Sequence, residues 1–365
     1  MDALVVADYD RFGGVAKASN NLVACLSSSG LEVHKYAIHS DPVFCEPKLL
    51  NYLRSVRRTW EFRESFQIFM HFEAILIGLI LGFITCSFKQ KVFVIHTDIY
   101  GYYAKSSLLK RFVLAAMMRL LRKRRVVFVS KEAELRAKDF FGLRYTSSIY
   151  NVLTESAEGH VFRERGGTTV IGSIARLHKS KNIDLLIRTF DSVCGGLPNY
   201  SLKIYGDGPE RERLEDYAAQ FSSFDRISFM GEESEPRKMF GSIDALVGFS
   251  SIEGFALVIL EALSKGLPVL HSDCCCGPRE IMDPFAEPSE KTSNWIVVSG
   301  GILVAPPEES GLYLSSLADN EGVYHQALNC FLSKLESFSH KGLPGAERFY
   351  CTHIAQQWRE LLATR

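Results

Sequence analysis

The chain has 365 residues, is 47% hydrophobic and 23% charged, and carries 42 basic and 42 acidic side chains. This composition predicts a globular protein of about two domains and excludes a low-complexity or fibrous chain. The zero net charge hides an asymmetry, because residues 1–150 hold 22 Lys and Arg against 13 Asp and Glu, and the remainder holds 20 against 29. Unless this is chance surface composition, we expect different partners for the two halves.

The first half predicts a Rossmann-like sheet. "ALVVADYD" predicts a buried strand, "RFGGVAKASNNLVACLSSSG" a Gly-Gly turn at Gly13 and Gly14 followed by a helix, and "LEVHKYAI" a second strand. "KVFVIHT" and "RVVFVS" predict strands that end at His96, Thr97 and Ser130. Ligands gather at the carboxyl ends of strands in an open α/β sheet, so these three residues are candidates for binding.

An apolar run, "FEAILIGLILGFITCSF", occupies residues 72–88. Its uninterrupted core from Ala74 to Cys86 has 13 residues, which is short of the roughly 20 that a membrane span needs. We therefore predict a buried helix.

The second half repeats the alternation after a predicted linker at 156–168. Strands are predicted at "TVIGSIARL", "YSLKIYGDGP", "RISFMGE", "DALVGFS", "LPVLHSD" and "GILVAP", with helices between most of them. The domain prediction is residues 1–160 and residues 167–345, each doubly wound, with a cleft between them. A final amphipathic helix, 346–365, can pack back on the first domain.

Two strand ends in the second half suit a phosphate ligand. "ARLHKSKN" places Arg176 and Lys181 between a strand and a helix, where two cations favour a diphosphate. In "YGDGPE", Gly206 and Gly208 permit a tight turn and let a ligand approach the backbone. A solvated basic pair and a purely structural turn are the alternatives.

The stretch "SSIEGFALVILEALSKGLPVLHSDCCCGPRE" at 250–280 carries the strongest signal. Phe255 stands at the predicted helix start, where amides and the helix dipole attract an anion. Glu253 precedes that helix and Glu261 lies two turns inside it, so both carboxylates can accept hydrogen bonds from hydroxyl groups. An amphipathic helix with a capping glutamate explains this segment equally well.

"EGFALVILE" resembles the E-x7-E motif of retaining glycosyltransferases of family 4, which have the GT-B fold of two Rossmann-like domains facing a central cleft. The resemblance extends through "ARLHKSKNIDLLI", "YGDGPERERL", "FMGE" and "GILVAPPE", and "GGVAKASNNLVACLSSSGLEVHKY" resembles the amino-terminal glycine loop. It implies a sugar transferred with retention from a nucleotide-diphospho-sugar, with no metal or other cofactor.

The resemblance also implies roles for individual residues. Phosphate groups would be held by Arg176, Lys181 and the amides of Phe255 and Ala256, with Gly13 and Gly14 bordering them. Glu253 would contact the donor sugar, and Glu261 would accept hydrogen bonds from the ribose hydroxyls. His96 would contact the donor sugar or the acceptor. Cations and amides would stabilise the negative charge that develops on the leaving diphosphate.

The sequence departs from the family pattern in two places. Ala175 stands where relatives have glycine, and Cys274, Cys275 and Cys276 stand where they have small or polar residues. We interpret the cysteines as small fillers, because adjacent cysteines do not readily form a disulfide and no zinc spacing occurs. The odd total of nine cysteines and the lack of a signal peptide predict a reducing cytoplasm.

Basic and apolar residues alternate in "RSVRRTWEFR" (54–63) and "KRFVLAAMMRLLRKRR" (110–125). Such faces suit an anionic membrane surface, so we expect a peripheral enzyme at the inner face of the membrane with a saccharide or lipid-linked acceptor. No recognition module for nucleic acid accompanies these charges.

An inactive nucleotide-sugar-binding subunit is the alternative function. A nicotinamide oxidoreductase is disfavoured because no G-x-G-x-x-G follows a strand. The donor is expected to be UDP-linked, by family frequency, with guanosine open.

Overall fold

A computed structural model describes residues 2–9, 13–39, 48–153, 167–307, 317–338, 343 and 345–363. The chain divides into two compact units. Unit 1 comprises Met1–Thr154 with Ala346–Arg365, and unit 2 comprises Glu155–Gly345. Of the linker predicted at 156–168, residues 156–166 lie outside the described residues.

Unit 1 is built on a parallel sheet of six strands in the order β2-β1-β3-β4-β5-β6. The strands are β1 Asp2–Tyr9, β2 Glu32–His39, β3 Phe66–Met70, β4 Lys91–Ile95, β5 Arg125–Phe128 and β6 Tyr145–Ser148. The helices between them are α1 Gly13–Ser28, α2 Lys48–Glu61, α3 Phe72–Ile84, α4 Ile99–Lys105, α5 Leu108–Leu121 and α6 Lys131–Phe141. Strand β4 is buried along its whole length, which explains its continuous apolar sequence.

Two local predictions in unit 1 need correction. The predicted Gly-Gly turn is the first turn of α1, which begins at Gly13. The apolar run at 72–88 forms α3, but its burial is one-sided. Leu76, Ile80 and Phe83 are 40–52% exposed, because only the opposite face of the helix packs on the sheet. Among the described residues, no helix is both long and apolar enough to cross a bilayer.

Unit 2 has a seven-stranded sheet in the order β12-β13-β11-β10-β7-β8-β9, parallel except for the antiparallel edge strand β12. The strands are β7 Thr169–Ile174, β8 Tyr200–Tyr205, β9 Ile227–Gly231, β10 Ala245–Gly248, β11 Val269–Ser272, β12 Trp295–Val298 and β13 Gly301–Val304. The helices are α7 Ile183–Cys194, α8 Arg211–Ala218, α9 Pro236–Gly241, α10 Leu257–Ser264, α11 Pro278–Met282, α12 Leu317–Ser333 and α13 Leu335–Phe338. The last helix, α14 Cys351–Ala363, belongs to unit 1.

The order of strands in unit 2 reverses at β7. From this strand the chain proceeds outward through β8 and β9, then returns to the other side of β7 for β10 and β11. Helices α7 and α12 pack together over the sheet, and their Phe190 and Phe331 are fully buried in its core. In doubly wound sheets, ligands bind where the strand order reverses, which here is the edge between β7 and β10.

Candidate functional site

Most of the residues singled out in the second half follow four adjacent strands of unit 2. Arg176 and Lys181 follow β7, Gly206 and Gly208 follow β8, and Glu253 follows β10. Residues 273–277, here called the cysteine loop, follow β11, which is the neighbour of β10 in the sheet. Because these strands are parallel, their carboxyl ends meet at one edge of the sheet.

An ion pair joins two of the predicted residues across the β7–β10 reversal. Lys181 Nζ lies 2.6 Å from Glu253 Oε1, and the two side chains are 19% and 13% exposed. Burial by itself raises the pKa of Glu253, but the charge of Lys181 and the hydrogen bonds from Lys181 and Ser250 outweigh it, so the pKa is lowered. Glu253 is therefore a carboxylate at neutral pH, and Lys181 keeps two further N–H donors for a ligand.

A network of hydrogen bonds fixes Lys181 at this position. It ends a short 3-10 helix, Lys179–Lys181, and Asn182 follows in the left-handed conformation with φ 48°. The Asn182 amide donates to Phe249 O (2.7 Å) and to Ser251 Oγ (2.8 Å). The loops after β7 and β10 are thereby tied together, and asparagine is one of the few residues that adopts this backbone conformation readily.

The two predicted glycines pack against the loop that carries Arg176. A Cβ on Gly206 would stand 2.0 Å from Ala175 O, and one on Gly208 would stand 2.3 Å from Leu177 O. Gly206 also has φ +122°, which side-chain-bearing residues rarely adopt. The glycines therefore support the backbone on either side of Arg176, whose own side chain is exposed.

The start of α10 is a sharp turn. Ala256 has φ 56°, and both it and Phe255 are buried. Gly277 backs this turn so closely that a Cβ there would lie 2.4 Å from Phe255 O. Glu261 is half-buried in the second turn of α10. The cysteine loop therefore supports the helix start that is expected to hold phosphate.

His271, at the end of β11, escaped the sequence reasoning. Its Nε2 lies 4.0 Å from Glu253 Oε1, and its Nδ1 is 2.9 Å from Ser272 O. Burial lowers its pKa, so the ring is neutral at pH 7. The sequence feature that could have indicated His271 is Gly248, a glycine in the neighbouring strand β10. A Cβ at Gly248 would stand 2.7 Å from the imidazole ring, so the glycine leaves room for it.

The cysteine loop has a second buried ion pair that the sequence did not single out. Arg279 forms a salt bridge with Asp273, and these two residues are 2% and 0% exposed. Asp273 also accepts the amide of Thr292 at 2.9 Å. Burial raises the pKa of the Cys274 thiol, with the charge of Glu253 adding to the effect, so this side chain is a protonated thiol at neutral pH.

The remaining predicted residues belong to unit 1. Gly14 is exposed in the first turn of α1, with open space where a Cβ would stand. His96 directly follows β4 and lines a small cavity with Leu22, Met70 and Trp358. Burial, together with the nearby His71, lowers the pKa of His96 to about 3, so its ring is neutral at physiological pH. Within the described part of the chain, its Nε2 is buried without a hydrogen-bond partner.

The arrangement in unit 2 offers separate groups for an anion and for hydroxyls. Lys181 supplies a cation beside Glu253, which is held in the charged state just ahead of α10, and Arg176 supplies a second, exposed cation after the same strand as Lys181. Since a carboxylate accepts hydrogen bonds from hydroxyls and repels phosphate, one ligand bearing both groups suits this site better than phosphate alone.

Comparison with known proteins agrees with this chemistry. Residues 158–302 match the profile of the family described as "Glycosyl transferases group 1". An uncharacterized glycosyltransferase of Methanocaldococcus jannaschii is 34% identical over 134 residues, 37% of this chain and 33% of the relative. The lipopolysaccharide 1,6-galactosyltransferase of Salmonella typhimurium is 32% identical over 99 residues, 26% of this chain and 28% of the relative. The chain thus spans about a third or less of the length of these curated relatives.

A solved structure covers the whole chain. Anabaena HepE in complex with UDP and glucose superposes with a TM-score of 0.70 over 100% of both chains, at 17% identity. This likeness confirms the predicted GT-B fold, and the family match confirms the resemblance seen in the motifs. The matched residues 158–302 contain Arg176, Lys181, Glu253 and Glu261, so the part of the chain that carries the candidate site is similar to the group 1 glycosyltransferases.

Proposed function

We propose that this protein is a retaining glycosyltransferase that moves a hexosyl or N-acetylhexosaminyl group from a UDP-sugar to a saccharide or lipid-linked acceptor in polysaccharide or glycolipid synthesis. The observation that carries the proposal is the Lys181–Glu253 ion pair at the strand reversal of unit 2. Support for UDP comes from solved structures of similar fold that contain UDP, and support for the acceptor class from the galactosyltransferase of Salmonella lipopolysaccharide.

In this proposal each predicted residue has a distinct task. Arg176 and Lys181 bind the diphosphate and stabilise its charge as the sugar–phosphate bond breaks. Glu253 accepts a hydrogen bond from a hydroxyl of the donor sugar, and Glu261 accepts hydrogen bonds from the two ribose hydroxyls. The turn at Phe255 and Ala256 directs backbone amides at the phosphates, as helix starts commonly do.

A further set of roles is proposed for the glycines and for His96. Gly13 and Gly14 let the diphosphate approach the start of α1, which an added Cβ would obstruct. Gly206 and Gly208 act indirectly, by holding the backbone beside Arg176. His96, being neutral, can contact the sugar or acceptor only as a hydrogen-bonding group.

Calorimetric titration with UDP and GDP tests the donor site directly. We expect UDP to bind, and the Glu261→Ala variant to bind it at least about tenfold more weakly, because a lost hydrogen bond to a charged group costs about 1.5–3 kcal/mol. Ser264→Ala, in the same helix, is a matched control. No binding of either nucleotide by folded protein would contradict the proposal and favour an inactive subunit.

The acceptor proposal includes a membrane surface. Leu108, Leu109, Phe112 and Val113, here called the α5 patch, are 58–84% exposed, and Lys110 is exposed among them. Exposed apolar side chains interleaved with cations are attracted to anionic lipid by both burial and charge. We propose that the α5 patch holds the enzyme at the cytoplasmic leaflet, where a lipid-linked acceptor is available.

Vesicle sedimentation distinguishes binding through the α5 patch from nonspecific adsorption of the protein to lipid. We expect binding to phosphatidylglycerol–phosphatidylcholine vesicles, weaker binding to pure phosphatidylcholine, and loss of both in Leu109→Ser/Phe112→Ser. Phe285→Ser is the control, because Phe285 is 95% exposed but lies in unit 2. Equal binding by the double variant and the wild type would refute a role for the α5 patch.

A further inference from the structure

Two adjacent cysteines of the cysteine loop have their sulfur atoms in contact. Cys275 Sγ lies 2.8 Å from Cys276 Sγ, and both residues are reduced thiols in the structure. In an extended strand, successive side chains point to opposite faces, which would keep these sulfurs apart. Cys276 has φ 70°, in the left-handed region, and this turn of the backbone brings the two side chains to the same side. The fold therefore presents the pair as a vicinal dithiol.

The three cysteines of this loop differ in their access to a reagent. Cys274 is fully buried, and burial raises the pKa of its thiol, so it is the unreactive member of the three. Cys275 is half-buried, whereas Cys276 is 0% exposed but needs only to reach the Cys275 sulfur. An accessible thiol beside a resolving thiol is the arrangement that reversible oxidation requires.

The backbone of this pair is joined to the candidate donor site of unit 2. Cys275 forms an isolated parallel bridge with Ile252, the residue before Glu253. Gly277, the residue after the pair, backs Phe255 so closely that a Cβ there would lie 2.4 Å from Phe255 O. A change in the conformation of the pair therefore reaches both the carboxylate ahead of α10 and the start of that helix.

We propose that Cys275 and Cys276 form a redox modification site, at which a vicinal disulfide forms reversibly and weakens nucleotide-sugar binding by unit 2. The Cα atoms of adjacent residues are about 3.8 Å apart, closer than in most disulfides, so the bond is strained and easily reduced. Strained disulfides are the labile and regulatory ones. The effect on the donor rests on the proposed function, whereas formation of the disulfide does not depend on it.

The oxidant in this proposal is a low-molecular-weight disulfide such as oxidised glutathione. The Cys275 thiolate attacks one of its sulfurs, which forms a mixed disulfide and releases one glutathione. The Cys276 thiolate then attacks the Cys275 sulfur, the mixed disulfide breaks, and the second glutathione leaves with the electron pair. The two protein thiols lose two electrons and two protons, and these convert the glutathione disulfide into two thiols.

Peptide mapping after treatment with oxidised glutathione tests the disulfide. Trypsin cleaves after Lys265 and Arg279, so all three cysteines lie in one peptide, residues 266–279. Alkylation under denaturing conditions counts the thiols that remain. We expect one thiol in the oxidised wild-type peptide and three after dithiothreitol. Cys274→Ala should still lose two thiols on oxidation, and Cys275→Ser should lose none.

Calorimetric titration with UDP tests the effect on the donor site. We expect the oxidised wild type to bind UDP about tenfold more weakly than the same protein after dithiothreitol, because displacing the start of α10 removes a hydrogen bond to a charged phosphate. Cys275→Ser should show no difference between the two treatments. Cys330→Ser is the matched control, because it changes a half-buried cysteine elsewhere in unit 2, and it should respond as the wild type does.

Each result decides a separate question. Three thiols in the peptide after oxidation, or glutathione on Cys275 with the other two thiols intact, would overturn the disulfide. Unchanged UDP affinity in the oxidised protein would overturn the effect on the donor site, and so would a loss of binding that accompanies unfolding in a thermal melt. Failure of the reduced wild type to bind UDP would refute the proposed function. Because the peptide map decides the disulfide without any ligand, the two failures are distinguishable.

Discussion

Removal of Lys181 should show how much the ion pair with Glu253 stabilises unit 2. Breaking a fully buried pair by deleting one partner costs about 3–5 kcal/mol. The two side chains retain 19% and 13% exposure, so we expect about 2–3 kcal/mol for Lys181→Met. Glu253 would then be a buried carboxylate without its cation, since the ring of His271, 4.0 Å away, is neutral at pH 7.

A double-mutant cycle isolates the interaction between the two charges. We expect Glu253→Gln in the Lys181→Met background to recover about 2 kcal/mol, because the unpaired carboxylate has gone. The free energy of unfolding is measured by urea titration of all four proteins. Arg176→Met is the matched control, and since Arg176 is exposed it should stay within about 0.5 kcal/mol of wild type while still weakening UDP binding.

The gap between wild type and Lys181→Met should also depend on pH. In the wild type the pKa of Glu253 is lowered from 4.5, so its contribution to stability is present above pH 4.5 and is lost as the pH falls through the native pKa. In Lys181→Met, burial is opposed by less charge, the pKa of Glu253 rises, and acid relieves the variant. The gap should therefore narrow as the pH falls through the raised pKa of the variant and then through the lowered pKa of the wild type. Additive losses in the cycle, or a gap independent of pH, would refute the reasoning.

Three other predictions concern glycines and a histidine. Gly208→Ala should lower the unfolding free energy by about 1–3 kcal/mol and weaken UDP binding, because its Cβ would stand 2.3 Å from a carbonyl oxygen. Gly196→Ala, with no atom within 4 Å, should be near neutral in the same urea titrations. Gly14→Ala should leave stability unchanged or slightly raised but reduce donor turnover, and unchanged turnover would exclude it from the phosphate site. Between pH 6.5 and 5 the unfolded chain protonates His96 while the native state, with a pKa of about 3, does not. The free energy of unfolding should fall by about 2 kcal/mol over that range relative to His96→Gln. If urea titrations show the same pH dependence of this free energy in both proteins, the ring of His96 is not buried in the neutral state.

The strands of both units were largely predictable, since buried parallel strands such as β4 and β13 are nearly continuous apolar runs. Strand β6, "YTSS", was not predicted, because its polar residues do not produce that signal. The run at 72–88 was predicted as a helix correctly, but the exposure of Leu76, Ile80 and Phe83 was not. Hydropathy alone does not distinguish the packed face of such a helix from the other face.

The sequence by itself determined the chemistry available in unit 2, because residue types and their spacing within one segment, as in Glu253 to Glu261, follow the chain. Tertiary structure alone decided which of these groups meet. Lys181 and Glu253 are 72 positions apart and become partners because β7 and β10 are neighbours where the strand order reverses. His71 and Asp8 are 63 positions apart, and the hydrogen bond that joins them exists only in the folded sheet. Contacts across parallel strands depend on topology, and a single sequence does not record the order of strands in space.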